Sequence, residues 1–192
     1  MNSKSQTNTK SMVLTAILTA LVIVLQYLGS FVKFGPFSIS LVLIPIVIGA
    51  AVCGVKSGAW LGFVFGVFVL ISGDAAPFLA INPLGTVITV ILKGTLAGLI
   101  SGFVYRATYK ANIFLGAFLS ALVCPVVNTG VFLIGCFFFF METVSTWATA
   151  AGFSENVGAY MIFVLVGGNF VFELLVNIVL SPIIVRLLRI KK

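Results

Sequence analysis

Between Ser38 and Gly73 the chain carries one charged residue, Lys56. As a single helix this stretch would run roughly 52 Å at about 1.5 Å per residue, far more than a bilayer core of about 30 Å accommodates. It therefore reads as two short apolar helices that turn at Gly54 to Ser57. Gly54, Gly58, Gly62 and Gly66 recur every fourth residue and so share one ridge of a helix. A ridge without side chains lets a neighbouring helix pack backbone on backbone, a main source of helix association in lipid. Gly94, Gly98 and Gly102 repeat the ladder on the next helix, so both ladders read as packing seams rather than as ligand sites.

Only 8% of the 192 residues are charged and 61% are hydrophobic, against about 25% charged in soluble domains, which makes the chain an integral membrane protein. The formal charge of +7 does not mark a nucleic-acid binder, because the cations lie in tails and short loops and not along one face of a helix. Cys53, Cys124 and Cys136 sit inside apolar runs without CxxC spacing and read as buried thiols. Residues 1–11 read as a disordered polar tail, and residues 12–192 as one transmembrane domain. The apolar run after the tail is longer than a signal-peptide core and is taken as an uncleaved first span.

The expected helices are about Met12 to Leu28, the two in the opening stretch, Leu84 to Tyr105, Ile113 to Met141 and Ala159 to Leu188. The first carries Ala16 and Ala20, an AxxxA pair flanked by Thr15 and Thr19, which suits close approach of another helix. Pro45 is expected to kink the second helix. Gly29 to Phe37 is a short aromatic loop able to cover the mouth of the bundle. Asp74 to Pro83 and the acidic Glu142 to Gly158 are expected as further loops. The fold expected is thus an all-α compact bundle of six transmembrane helices. With an even number of spans, Lys4, Lys10, Lys56, Arg106, Lys110, Arg186, Arg189, Lys191 and Lys192 all fall on one side. By the positive-inside rule that side is the cytoplasm, with both termini there and the protein multi-pass in the plasma membrane.

A charge at the centre of a membrane helix costs about 2.5 to 3.5 kcal/mol on insertion scales, so Lys93 and Glu173 need a reason for their positions. Either they neutralise each other, or Lys93 reaches an anionic group of a ligand arriving from outside. Thr86, Thr89 and Lys93 lie at i, i+3 and i+7 and line one helix face. Asn169, Glu173 and Asn177 form a polar stripe on the last helix, open to interhelical hydrogen bonding or to ligand contact. Asn128 follows Pro125 by about one turn, where freed backbone groups tend to line a cavity rather than face lipid. Asn82 belongs to the loop ending at Pro83. Phe34, Phe37, Phe78 and Trp147 are placed to cap an apolar or ring-bearing ligand, although aromatics at the interface are expected in any case.

The chain has no histidine, so no Ser-His dyad, His-based metal site or His proton relay can operate. Its four acids are scattered. Gly49 to Ser57 (GAAVCGVKS) misses the phosphate-binding pattern GxxxxGK[ST], because Val55 separates Gly54 from Lys56. No catalytic residue set, metal site or cofactor is expected, and uphill transport would need energy from another chain.

Ala16 to Ala20, the stretch Ser38 to Gly66 and CPVVNTGVFLIG (Cys124 to Gly135), together with the short spans, resemble the S-component of energy-coupling factor (ECF) transporters. This resemblance covers nearly the whole chain. It implies a bacterial membrane subunit that captures a vitamin-like small molecule near the outer face, under loops corresponding to Gly29 to Phe37 and Asp74 to Pro83. It also implies docking of Ala16 and Ala20 on a transmembrane coupling subunit driven by two ATPases, and toppling in the bilayer to release the ligand. The substrate-binding residues expected on this reading are Lys93, Asn128, Thr89, Thr86, Asn82 and Asn169. The chain looks most similar to subfamilies assigned to pantothenate or to no substrate, and Lys93 would suit a carboxylate. The alternative is a membrane scaffold that oligomerises through its glycine ladders.

Overall fold

The computed structural model describes the backbone of residues 3–31, 33–34, 37–38 and 41–190, and the side chains of residues 9–31, 41–183 and 185–186. The first helix, α1, is Ser3–Gly29 and takes in most of the polar N-terminal stretch. After it come a two-residue ladder, β1 Lys33–Phe34 against β2 Phe37–Ser38, then α2 Leu43–Val52 and α3 Val55–Ile71. The remaining elements are α4 Ala76–Leu79, α5 Pro83–Thr108, α6 Ile113–Phe139, α7 Met141–Ala150, α8 Val157–Leu165 and α9 Gly167–Ile190. A lid formed by Gly29 to Phe37 falls mostly outside this description, since the side chains of residues 32–40, Phe34 and Phe37 among them, are not described.

The turn between α2 and α3 falls where the charge-poor stretch demands it. Gly54 takes φ 104°, a left-handed conformation that favours glycine, and α3 begins at the next residue. The centre of the bundle is α3 against α5, with α6 on the far side of α5, α9 against α6, and α1 and α2 closing the flank of α3. The two glycine ladders mesh there. A Cβ on Gly62 would lie 2.0 Å from the carbonyl oxygen of Gly94, and one on Gly98 2.0 Å from that of Gly58. Gly66 and Gly102 are similarly closed, by Val90 and Val55. The ladders are therefore used inside one chain, which removes them as the oligomerisation surface of a scaffold. Between α5 and α6 the tie is polar: the Ser101 and Ser120 hydroxyls are 2.7 Å apart and fully buried.

α1 (from Thr9), α5 and α6 are long and apolar enough to cross a bilayer, and the α8–α9 pair makes a fourth span if counted as one bent segment. The described residues thus give three to four spans where six were expected. The difference lies in α2 and α3, whose 10 and 17 residues reach about 15 and 25 Å. Four further expectations need correction. Pro45 stands in the first turn of α2, where its missing N–H removes no intrahelical bond, so it helps to start the helix and does not kink its interior. The Glu142 to Gly158 stretch is no open loop, because Val144 and Ala148, one turn apart, are buried and anchor α7. The last helix is broken: α8 and α9 meet at 46° around Val166, beside the Gly167–Gly168 pair, and residues Tyr160–Leu165 are wound as a π-helix. Of the three thiols, Cys124 and Cys136 are buried and Cys53 is half-buried.

Because Gly62 meets backbone and Gly130 on α6 meets nothing within 4 Å, equal substitutions should act oppositely. Gly62→Ala is expected to destabilise by about 1 to 3 kcal/mol through overpacking. Gly130→Ala should be neutral or stabilising by up to about 1 kcal/mol through helix propensity. Melting temperatures of the two variants in detergent check this contrast.

Candidate ligand-binding cavity

Near the N-terminal end of α5, the helices part around a cavity of about 60 Å³. Thr86, Thr89 and Lys93 reach it from α5, Asn128 from α6 and Asn169 and Glu173 from α9, while Phe65, Phe78, Phe132 and Phe140 supply apolar wall. Of the residues singled out in the sequence, five come together here. The sixth, Asn82, does not line the cavity. Its Oδ1 accepts from the Gly85 N–H at 2.9 Å and caps α5 ahead of Pro83, a standard helix start.

Each side chain is aimed by its helix. The i, i+3, i+7 spacing holds Thr86, Thr89 and Lys93 on the inner face of α5, and Thr86 returns its hydroxyl to the Asn82 carbonyl at 2.8 Å. Thr89 presses on Gly135 of α6 so closely that a Cβ there would lie 2.3 Å from Thr89 Cγ2. The bend at Val166 brings Asn169 into the first turn of α9 and puts irregular backbone beside the cavity, which lipid-facing segments avoid. Asn169 Nδ2 then donates to Glu173 Oε1 at 3.1 Å. Asn177 Nδ2 donates to the Glu173 backbone carbonyl at 2.8 Å and takes no part in the cavity wall.

Lys93 Nζ stands over two ring faces, 5.6 Å from the centroid of Phe65 and 5.3 Å from that of Phe132. It does not hydrogen-bond Glu173 Oε2, which has no hydrogen-bond partner among the described residues. The direct pair that would neutralise both charges is therefore not formed, although each lies within the other's field. Cation–π contacts of this kind stabilise a desolvated ammonium by about 2 kcal/mol and leave its donors available.

Two residues that motif reasoning passed over border the cavity where α1 meets the end of α3. Gln26 of α1 is buried and donates to Asp74 Oδ2, and the Ser72 hydroxyl reaches the same oxygen at 3.3 Å. Both Gln26 and Asp74 border the cavity. A lone glutamine in an apolar helix, like a lone glutamate, is the sequence signal that such a polar junction exists. Phe78 of α4 stacks edge-on with Phe132, Phe140 and Trp147 at 5.5, 5.0 and 5.6 Å, so the aromatic cap foreseen at Phe78 and Trp147 is a packed cluster. Ala16 and Ala20 of α1, which do not line the cavity, are exposed, and Ala16 sits in a groove with Thr15, Thr19, Ser57 and Trp60.

The described residues thus form a helical membrane bundle with a buried polar cavity and an exposed small-residue helix face. Residues 10–188 match the family described as ECF transporter, substrate-specific component. The chain belongs to this family, and it is a multi-pass protein of the cell membrane. Neither a curated protein nor a solved structure matches it.

If this cavity holds the substrate, Asn128→Ala is expected to weaken its binding by about 0.5 to 1.5 kcal/mol. Asn177→Ala should leave affinity unchanged, since its amide serves the α9 backbone. Calorimetry on the two variants checks the difference.

Proposed function

We propose that this protein captures a vitamin or related micronutrient from outside the cell and hands it to an ECF module for ATP-driven uptake. The observation that carries this reading is the cavity itself: Lys93, Asn128, Glu173 and Asn169 converge on one space within a largely apolar bundle. Buried polar groups in a membrane are expensive to maintain, and a ligand site is a reason to keep them. The side chains proposed to contact ligand are Lys93, Asn128, Thr89 and Asn169, with Thr86 lining the wall and Asn82 shaping the start of α5. Pantothenate is the specific candidate, its carboxylate directed to Lys93 and its hydroxyl and amide donors to the rest of the polar wall.

In this reading α2 and α3 complete a six-segment fold with both termini in the cytoplasm of a bacterial cell. Lys56, Arg106 and Lys110 then lie at the cytoplasmic end, opposite the cavity, in agreement with the positive-inside rule. The partners are a transmembrane coupling subunit and two ATPases. Exposure of Ala16 and Ala20 supports α1 as the docking helix, since a partner helix can approach a small-residue face closely. Mass spectrometry of small molecules that co-purify in detergent tests the binding role, and a preparation from vitamin-replete cells that carries none would remove it.

Ala16→Leu or Ala20→Leu is expected to abolish uptake by whole cells expressing the module and to leave binding by the isolated subunit intact. Unchanged uptake in either variant would show that α1 does not dock through this face.

A further inference from the structure

The cavity wall is unequal in its hydrogen-bonding character. Thr89 Oγ1, Asn128 Oδ1, Asn169 Oδ1 and Glu173 Oε2 are all buried without a hydrogen-bond partner among the described residues. Glu173 is 2% exposed, Thr89 3% and Asn128 5%, so bulk water does not reach them. Native proteins rarely leave such atoms unpaired, and each one has a physical reason. These four lie around one cavity, and all four can accept a hydrogen bond. The orientation of Asn169 is fixed, because its Nδ2 is committed to Glu173 Oε1 and its oxygen must be the end left over. Lys93 does not answer them, its ammonium being held over Phe65 and Phe132.

From this clustering of unpaired acceptors we infer that the ligand is recognised through a row of N–H or O–H donors facing Asn128, Asn169 and Glu173, and not chiefly through an anionic group. The inference rests on the cavity being the ligand site. An aminopyrimidine or a cyclic ureide presents such an edge, with a flat body that suits Phe65, Phe78 and Phe132. A carboxylate without donors would satisfy Lys93 and the Thr89 hydroxyl, and would leave the Asn128, Asn169 and Glu173 oxygens unpaired. Glu173 is thereby the specificity-determining residue, its second oxygen being the one ionisable acceptor in the row.

The test is calorimetry on the purified full-length protein with four probes: cytosine and 2-imidazolidone, which carry donors, and benzoate and hexanoate, which at neutral pH carry none. Binding of a donor probe and not of the two anions is the expected result. Glu173→Gln, which keeps the shape but turns the acceptor into an amide, should weaken that probe about tenfold to a hundredfold. Asn128→Ala should weaken it as well, so the test survives if one variant fails to fold. Binding by benzoate or hexanoate alone, or donor-probe affinity unmoved in both variants, overturns the inference while leaving the cavity a ligand site. Binding by none of the four overturns the inference together with the reading of the cavity on which it rests.

Discussion

Everything in this bundle hangs on the backbone contact between α3 and α5. Water does not drive helices together inside a bilayer, so close packing has to supply the attraction. Gly58 and Gly62 on one side and Gly94 and Gly98 on the other let carbonyl oxygens approach to where a methyl group would not fit. That contact fixes the rotation of α5 about its own axis. Once α5 is fixed, Thr86, Thr89 and Lys93 point into the space between α3, α6 and α9. The cavity is thus positioned by residues that have no side chains.

The second element is the broken last helix. A straight helix from Val157 to Ile190 would carry its polar stripe along one line. The break at Val166 separates an aromatic-packed upper segment, with Tyr160, Met161 and Leu165 buried, from a lower one that starts with glycines. Asn169 and Glu173 fall just below the break and point at the same space as Asn128. A membrane protein tolerates backbone irregularity of this sort where it borders a protein cavity. The bend and the site therefore imply one another.

Much of this arrangement was legible from the residues. Four-residue glycine spacing identified the α3–α5 seam, a lone lysine between apolar runs identified the turn at Gly54, and helical periodicity put Thr86, Thr89 and Lys93 on one face. What escaped has physical reasons. Asn82 caps α5 rather than lining the cavity, a role that Asn-Pro at a helix start signals and that uses the oxygen a ligand would need. The α7 helix is short and polar on its outer side, so its two buried positions, Val144 and Ala148, are too few to give a strong period. Gln26 and Asp74 meet only because α1 folds back beside the end of α3, a contact no local pattern encodes. Six apolar segments are easy to count, but crossing a membrane depends on length, and α2 with its 10 residues shows the difference.

A cavity of about 60 Å³ admits a few waters, whereas pockets for drug-sized ligands run to about 300 to 1,000 Å³. A larger molecule would therefore need the wall to open, and among the described residues the Phe78 cluster and the Gln26–Asp74 contact are the side chains that would have to give way. Observed affinity is then the intrinsic affinity multiplied by the fraction of molecules open at any moment. Loosening the aromatic cluster would raise the association rate, while the same cluster closing behind a bound molecule would slow its escape. Capture from a dilute medium would be governed less by the strength of the contacts inside than by how often the door stands ajar.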